Sequence, residues 1–227
     1  MAPSLAVRFR PDPKSVFLNI PYDPRYERLY LAFIAGISAF GLDPRATLEI
    51  PGGARRLDRI FELIQACRYS LHDLSRVQLD RTPPKTPRFN MPFELGLAVA
   101  WAKLSRPGLH TWFLFESQDR RLDKSLSDLR GTDPNVHGGT VKGLFRELGN
   151  AFVTSRHQPT VGQMQAVYRD LRQKAPRIVQ DTGARSLFEA GVFRRLVVLA
   201  RISARQQIPS LKSLPRRPDH TKRARIC

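Results

Sequence analysis

Residues 15–41 read SVFLNIPYDPRYERLYLAFIAGISAFG, and this stretch predicts the first strand and helix of an α/β fold. The apolar run from Ser15 to Ile20 stops at Pro21, which is typical of a short buried strand. After Asp23, apolar residues recur at three- and four-residue steps and define one helix face, which ends at Gly41. The residues on that face are Tyr26, Leu29, Tyr30, Phe33, Ile34 and Ile37.

The alternation of strand and helix continues down the chain. Short apolar runs at 46–50 (ATLEI), 69–71 and 110–116 (HTWFLFE) predict three more strands, and residues 57–64 and 91–104 carry helical patterns. A Pro-Gly-Gly turn at 51–53 closes the second strand, and His72 and Asp73 follow the third. Because parallel strands need crossover helices, this order predicts an α/β fold whose central parallel sheet is covered on both faces.

The strand signal fades beyond Gln118, and the rest of the chain divides by composition. Helical patterns at 140–153, 160–174 and 187–206 are followed by a segment rich in Pro, Lys, Arg and Ser. We expect an α/β domain over residues 1–155, a helical extension over 156–207 and a disordered basic tail over 208–227. The apolar face of the last helix is expected to cover the sheet domain or a second copy of the protein.

The positive charge is concentrated in the last third of the chain. Residues 1–155 hold 22 basic and 16 acidic residues, a net charge of +6, whereas residues 156–227 hold 16 and 4, a net charge of +12. A basic region of this kind attracts nucleic acids and other polyanions through a field that salt screens. The alternative is a solvated arginine-rich surface, since the tail lacks the interleaved aromatic residues that bind single strands.

Simple counts exclude several classes of protein. Two cysteines, Cys67 and Cys227, cannot build a disulfide scaffold or a cysteine metal site, and Cys67 is expected to be buried and inert in the second helix. The longest nearly uncharged run, 29–42, is shorter than the about 20 residues that a bilayer span requires. Residues 1–13 also lack a secretory apolar core, so the expected location is the cytoplasm and no membrane partner is expected.

Candidate binding residues lie where the strands end, because open parallel sheets bind ligands outside the carboxyl ends of their strands. The turn at 51–53 is a weak phosphate-binding candidate, since such turns commonly connect a strand to a helix. Neither a G-x-S-x-G elbow, a Walker loop nor a G-x-G-x-x-G fingerprint occurs. The polar residues selected by position are Asn19, Tyr22, Asp23, Arg55, Asp73, Ser75, Arg76, Arg88, Asn90, Asp133 and His137. An ordinary turn or a satisfied structural group is the alternative at several of them, notably at Asp73 and Asp133.

Glu94 is the strongest catalytic candidate. At helical spacing its face continues through Leu97 and Ala98, so the carboxylate lies in line with a buried stripe. Carboxylates rarely occupy such a face without a partner. The structural alternative is that Glu94 complements the helix dipole or a capping box, but with Asn90 as the N-cap the box position falls on Phe93.

The chain resembles the TIR-like branch of bacterial proteins related to Toll/interleukin-1 receptor domains and nucleoside deoxyribosyltransferases. The segments that carry the resemblance are FLNIPYD (17–23), CRYSLHDLSR (67–76), PRFNMPFELGLAVA (87–100) and SDLRGTDPNVHGGT (127–140). The resemblance implies a flavodoxin-like three-layer sandwich and a glutamate, Glu94 in FELG, in a pocket for a nucleotide sugar. The chain departs from many TIR domains in having residues 89–92 (FNMP) where a Ser/Cys-Trp signature precedes that glutamate.

The resemblance further implies an enzyme that cleaves an N-glycosidic bond, with NAD or a related nucleotide as substrate and with no cofactor or metal. Nicotinamide leaves NAD as a neutral base, so the barrier lies in the positive charge of an oxocarbenium-like transition state. Glu94 would stabilise that charge. The supporting roles expected from position are pyrophosphate binding by Arg55, Arg76 or Arg88, base stacking by Tyr22, and ribose binding by Asp73 or Asn90.

Three other functions remain open at this point. The first is a TIR-like signalling or assembly module without catalysis, and the second is a nucleoside deoxyribosyltransferase-like enzyme. The third is a nucleic-acid-associated protein that uses the basic C-terminal third of the chain. For the enzyme, the resemblance implies an antiphage effector that needs self-assembly or an activating partner.

Overall fold

A computed structural model describes residues 10–50, 55–77, 85–124, 126–129 and 131–211 of the chain. The strands in these ranges are β1 (Asp12–Asn19), β2 (Asp43–Ala46), β3 (Cys67–Asp73), β4 (Thr111–Glu116) and β5 (Asn135–Val136). The α-helices are α1 (Glu27–Ala39), α2 (Arg56–Ala66), α3 (Asn90–Leu104), α4 (Val141–Ala151), α5 (Val161–Thr182) and α6 (Ala190–Gln207).

The five strands form one parallel sheet in the order β2-β1-β3-β4-β5. This is the flavodoxin-like strand order, in which the chain reverses direction across the sheet between β1 and β3. At this switch point Leu18 pairs with Leu71 and Asn19 pairs with His72. The predicted α/β fold with a central parallel sheet is therefore confirmed, and the ends of β1 and β3 meet where such sheets bind ligands.

The helices cover both faces of the sheet, as the sequence predicts. Val16 and Leu18 of β1 point into a core that they share with α1, α4, α5 and α6. Phe17, which lies between them, points to the opposite face and packs with residues of α2 and α3. This alternation of side chains along β1 makes the molecule a three-layer sandwich.

From Leu29 onward helix α1 is buried on all sides, although the sequence predicts a single apolar face. Every residue from Leu29 to Ala39 is buried, because α5 and α6 pack on the side of α1 that faces away from the sheet. Although α1 is so apolar, none of the helices in the described ranges has the length and hydropathy that a bilayer crossing requires.

The last two helices belong to the same core as the sheet. The Tyr30 hydroxyl donates to the carbonyl oxygen of Leu187 at 3.2 Å, and the ring of Tyr30 packs against Phe188. Ile208 and Leu211 are also buried in this core, so the ordered chain extends past the predicted boundary at residue 207. Residues 212–227 of the predicted basic tail lie outside the described ranges.

The second strand was predicted at 46–50 but lies earlier in the chain, at Asp43–Ala46. Residues Thr47–Glu49 form a 3-10 turn instead. Glu49 explains the difference, because its Oε1 accepts the backbone N–H of Ala46 at 3.0 Å and ends the strand there. Pro44 is tolerated in β2 because the strand lies at the edge of the sheet.

Cys67 was predicted inside the second helix, but it is the first residue of β3. Helix α2 ends at Ala66, and Cys67 pairs with Asp12 of β1. The predicted burial is confirmed, since Cys67 is fully buried, and burial raises the pKa of its thiol to about 12. A thiol with this pKa is a poor nucleophile at neutral pH.

Two features of the later chain were not predicted. The short strand β5 completes the sheet in a segment where no strand was predicted. Helix α5 runs to Thr182 and not to Lys174, with Pro176 inside it. The predicted start of α5 holds, because Thr160 caps the helix and exchanges hydrogen bonds with Gln163.

Candidate active site

Asp23 brings two arginines together at the switch point of the sheet. Its Oδ2 accepts a hydrogen bond from Nε of Arg76 at 2.9 Å and one from Nη1 of Arg88 at 3.0 Å. The two arginine side chains stay about one third exposed, at 33% and 32%. Each guanidinium has five N–H donors, so both arginines keep donors for a ligand. The three side chains together form a corner with a net charge of +1.

Asp73, at the end of β3, is the centre of a buried polar cluster. Its carboxylate accepts hydrogen bonds from the Tyr26 hydroxyl, from the Ser75 backbone N–H at 2.8 Å and from Nε2 of His137 at 2.9 Å. Asp73 is fully buried and His137 is 1% exposed. Burial alone would raise the pKa of Asp73, but the hydrogen bonds from His137, Ser75 and Tyr26 outweigh it and lower the pKa. Asp73 is therefore a stable anion.

The same cluster contains a serine, a histidine and an aspartate, but it is not a nucleophile relay. The backbone N–H of Gly139 donates to Nδ1 of His137 at 3.0 Å, so the ring proton lies on Nε2. Nε2 faces both Asp73 and the Ser75 hydroxyl, which is 3.1 Å away. A base that activates serine needs its acceptor nitrogen on the hydroxyl and its other nitrogen on the acid. Ser75 is thus part of a structural network.

Asn19 and His72 connect the sheet to the start of α3. The Nδ2 group of Asn19 donates to the carbonyl oxygen of Met91 at 2.8 Å and to Nδ1 of His72 at 3.0 Å. Both hydrogens of this amide are used inside the protein, and Asn19 is 3% exposed. Asn19 therefore fixes the first turn of the helix that carries Glu94.

The hydrogen-bond chain continues from His72 along the buried side of β3. Nε2 of His72 donates to the Ser70 hydroxyl at 2.9 Å, Ser70 donates to Nε2 of His110 at 2.9 Å, and Nδ1 of His110 donates to the carbonyl oxygen of Cys67 at 2.9 Å. This direction of donation requires both rings to be neutral. Burial, with His110 nearby, lowers the pKa of His72 to about 3. This series of hydrogen bonds supports the structure around the site.

Glu94 lies one turn into α3 and is 5% exposed. It shares the buried face of the helix with Met91, Leu95 and Ala98, so the predicted burial is confirmed. Within the described ranges its carboxylate has no hydrogen bond or ion pair. Burial raises the pKa of Glu94 to about 7, and the charge of Arg56 acts in the opposite direction. Glu94 is the acid of this site whose protonation changes near neutral pH.

Tyr22 follows β1 and senses the charge of Glu94. Its hydroxyl donates to the carbonyl oxygen of Leu18 at 3.2 Å, and its ring packs against Tyr30 and Phe188. Burial raises the pKa of Tyr22 above its ordinary value, and the charge of Glu94 raises it further. The hydroxyl therefore stays protonated.

Several selected residues are not brought into these networks. Arg55 precedes α2 and is exposed, Asn90 is the exposed first residue of α3, and Asp133 is exposed beside β5. The turn at 51–53, a weak phosphate-binding candidate, lies outside the described ranges. Nothing in the described chain ties Asp133 to His137, which belongs to the buried cluster around Asp73.

Sequence reasoning missed two charged residues that shape the site. Arg56, and not its neighbour Arg55, is close enough to lower the pKa of Glu94. Helical spacing gives a signal for this, because the exposed Arg56 lies one turn before the buried Ile60 of α2. Tyr26 was predicted only as part of an apolar helix face. Its role in the site was missed, because its hydroxyl donates to Asp73.

Arg121 was also missed, and no sequence pattern indicates it. Its Nη2 lies 2.6 Å from Oε2 of the fully buried Glu116 at the end of β4. The same guanidinium donates to the carbonyl oxygens of Leu74 at 2.6 Å and Ser75 at 3.0 Å. Arg121 thus fixes the backbone that follows Asp73.

The described part of the chain contains no group of three or more His, Cys, Asp and Glu side chains arranged to hold a metal ion. Comparison of the chain with protein-family models, with curated proteins and with solved structures finds no match in any of the three.

Proposed function

We propose that the protein cleaves the N-glycosidic bond of NAD or a related nucleotide, with Glu94 as the catalytic carboxylate. The observation that carries the proposal is the state of Glu94. It is a buried acid with a pKa of about 7 and no internal partner in the described ranges, and its helix begins at the switch point of a parallel sheet. Carboxylates with a raised pKa in such a crevice are typical of catalytic sites.

The reaction needs a negative charge near the ribose more than it needs a general acid. The bond between C1′ and the pyridinium nitrogen breaks, and its electron pair leaves with nicotinamide as a neutral base. Positive charge then builds on the ribose ring in an oxocarbenium-like transition state. A carboxylate fixed beside this charge in a poorly solvated site stabilises it strongly. Water then adds to C1′ and loses a proton.

The pKa of Glu94 suits this role because the substrate itself is cationic. In the empty site at pH 7 about half of the Glu94 carboxyls are protonated, given a pKa of about 7. A pyridinium group nearby favours the ionised form. Binding of NAD therefore lowers the pKa of Glu94 and produces the carboxylate when it is needed.

The pyrophosphate of NAD would bind at the corner formed by Asp23, Arg76 and Arg88. Both guanidiniums keep N–H donors beyond those that bond to Asp23, and arginine binds phosphate oxygens in pairs. The acidic partner holds the two side chains in place before the substrate arrives. Arg56 supplies a further positive charge on the side of Glu94.

The proposed place of action is the cytoplasm, where NAD is available. The deciding experiment incubates the full chain with NAD at a series of protein concentrations and measures free nicotinamide. Glu94→Gln keeps the volume and removes the charge, so we expect the rate to fall by on the order of a hundredfold or more. The matched control is Glu62→Gln, the same change at an exposed acid of α2, which should leave the rate unchanged. A Glu94→Gln rate within a few fold of the wild type would overturn the assignment.

A second assay separates hydrolysis from glycosyl transfer. Purified chain is given a 2′-deoxynucleoside with a second free base, and exchange of the base is followed. Base exchange without release of nicotinamide from NAD would favour a deoxyribosyltransferase that uses Glu94 as nucleophile. Release of nicotinamide alone would support the proposed glycohydrolase.

A further inference from the structure

A basic cavity lies on the helical side of the molecule, formed by α1, α4 and α5. Its volume is about 440 Å³, and its lining contains four cationic side chains and no carboxylate. The cationic residues are Arg28, Lys142, Arg169 and Arg172. All four are exposed, and in the described part of the chain none of them takes part in an ion pair or a side-chain hydrogen bond. The cavity thus concentrates positive charge that the protein itself does not neutralise.

The cavity also contains polar hydrogens without acceptors. Tyr168 lies in its lining, and the Tyr168 hydroxyl is buried with no hydrogen-bond partner. The start of α4 lies in the same lining. Thr140 caps that helix by accepting the N–H of Gly143, which leaves the N–H groups of Val141 and Lys142 without partners inside the helix. Unpaired N–H groups at a helix start favour an anion.

A second cavity continues the positive surface. It has a volume of about 480 Å³, shares Thr140 and Lys142 with the first cavity, and adds Arg146, whose Nε is paired with Glu147 at 3.1 Å. Two adjoining cavities that share a lysine suit an anion with several phosphate groups in a row. The net charge of +18 would draw such a partner to the protein from a distance.

We propose that this surface binds the phosphodiester backbone of a double-stranded nucleic acid. Arginine forks match phosphate oxygens, and three of the four cations of the first cavity are arginines. A duplex is favoured over a single strand because the aromatic residue in the lining, Tyr168, is only 7% exposed and offers no ring on which a base can stack. Binding of this kind does not depend on sequence. The surface lies on different elements from Glu94, so this proposal does not rest on the proposed enzyme.

The test uses the full chain and a fluorescein-labelled 30-base-pair DNA duplex, with binding measured by anisotropy over a series of KCl concentrations. The variant Arg169→Ala/Arg172→Ala removes two cations of the cavity. The matched control Lys103→Ala/Arg106→Ala removes two exposed cations at the far end of α3. Thermal melts of both variants verify that they are folded.

Each phosphate contact contributes a slope of about −0.9 to the logarithm of affinity against the logarithm of salt concentration. We therefore expect Arg169→Ala/Arg172→Ala to lose at least about tenfold in affinity at 0.1 M salt and to reduce the slope by about 2. The control should lose less than about threefold and keep the slope. Equal losses in both variants would mean that the duplex senses only the net charge, and this would overturn the proposal.

Two competitors decide between nucleic acid and other anions. Unlabelled duplex should displace the labelled duplex at a far lower phosphate concentration than inorganic tripolyphosphate does. Displacement by tripolyphosphate at equal or lower phosphate concentration would identify a compact polyphosphate as the ligand and overturn the duplex assignment. Tighter binding of a single strand than of a duplex of the same length would overturn it as well.

Discussion

The amide nitrogen of Asn19 lies 2.8 Å from the carbonyl oxygen of Met91, and this hydrogen bond fixes the start of α3 to the end of β1. Glu94 lies one turn further along the same helix. The position of the proposed catalytic carboxylate thus depends on an amide that touches the helix backbone. The same amide donates to His72, so its loss would leave two buried acceptors without a donor.

We therefore predict that Asn19→Ala destabilises the protein and impairs the site. Leaving a buried acceptor unpaired costs about 1–3 kcal/mol for each group. The free energy of unfolding, measured in urea, should fall by about 2–6 kcal/mol, because two acceptors lose their donor. Asn150→Ala is the matched control, because Asn150 is exposed and its amide bonds only to Glu147 on the same helix. A loss for Asn19→Ala as small as that of the control would contradict the structural role.

The raised pKa of Glu94 predicts a pH-dependent cost of burying it. The pKa rises from 4.5 in the unfolded chain to about 7 in the folded protein, so the folded state binds the proton more tightly. Stability is then greatest below pH 4.5 and is lost as the pH rises towards 7, by on the order of 3 kcal/mol. Glu94→Gln should be more stable than the wild type at pH 8, with little difference at pH 4.5. Thermal melts at both values, with Glu62→Gln as the control, measure this.

His72 predicts the opposite dependence on pH. Its pKa falls from 6.5 in the unfolded chain to about 3 in the fold, so the unfolded state binds the proton more tightly. The stability is fully present above pH 6.5 and is lost as the pH falls, by on the order of 3 kcal/mol between pH 7 and pH 4. Because Glu94 titrates in the same interval with the opposite sign, the two effects largely cancel in the wild type.

The test of His72 therefore uses Glu94→Gln as the background. In that background the free energy of unfolding should fall steeply between pH 6.5 and pH 4. Adding His72→Asn should remove most of this slope, whatever its effect on absolute stability. An unchanged slope would show that His72 is not the group that binds protons on unfolding.

Two glycines of α4 give opposite predictions for the same substitution. A Cβ atom at Gly143 would overlap the carbonyl oxygen of His137, whereas a Cβ atom at Gly149 meets nothing within 4 Å. Gly143→Ala should therefore lower the free energy of unfolding by about 1–3 kcal/mol and displace the turn that carries His137. Gly149→Ala should raise it by up to about 1 kcal/mol, because alanine is the better helix former. Urea denaturation of both variants compares them directly, and equal effects would contradict the close approach at Gly143.

The parts of the fold that the sequence predicts well are those decided by local apolar patterns. The run at 15–20 and the spacing of Tyr26 and Leu29 predict β1 and α1 because burial of apolar surface decides both elements. Glu94 was predicted to be buried for the same reason, since its spacing from Ala98 places the two residues on one face. The prediction of a strand at 46–50 was wrong because one hydrogen bond, from the backbone N–H of Ala46 to the side chain of Glu49, outweighed the apolar pattern.

The site networks depend on contacts between distant residues, which local patterns do not contain. Asp73 and His137 are 64 residues apart in the chain, and Arg121 reaches back to the carbonyl oxygen of Leu74. Position at the end of a strand selected Asp73 and His137 but gave no indication that they bond to each other. Arg121 follows no strand directly, and for that reason it was not selected.

The burial of α1 from Leu29 to Ala39 has a consequence for the synthesis of the protein. Leu29 to Ala39 leave the ribosome early, but α6, which covers them, ends at Gln207. At about 5–20 residues per second, the chain between these points takes on the order of 10 to 30 s to synthesise. Throughout this time the side of α1 that α6 covers in the finished fold stays exposed, even after the sheet, α4 and α5 have been made. Chaperones that bind nascent chains are therefore expected to hold this segment until the last helix has been made, and a ribosome that stalls before α6 would release a product prone to aggregation.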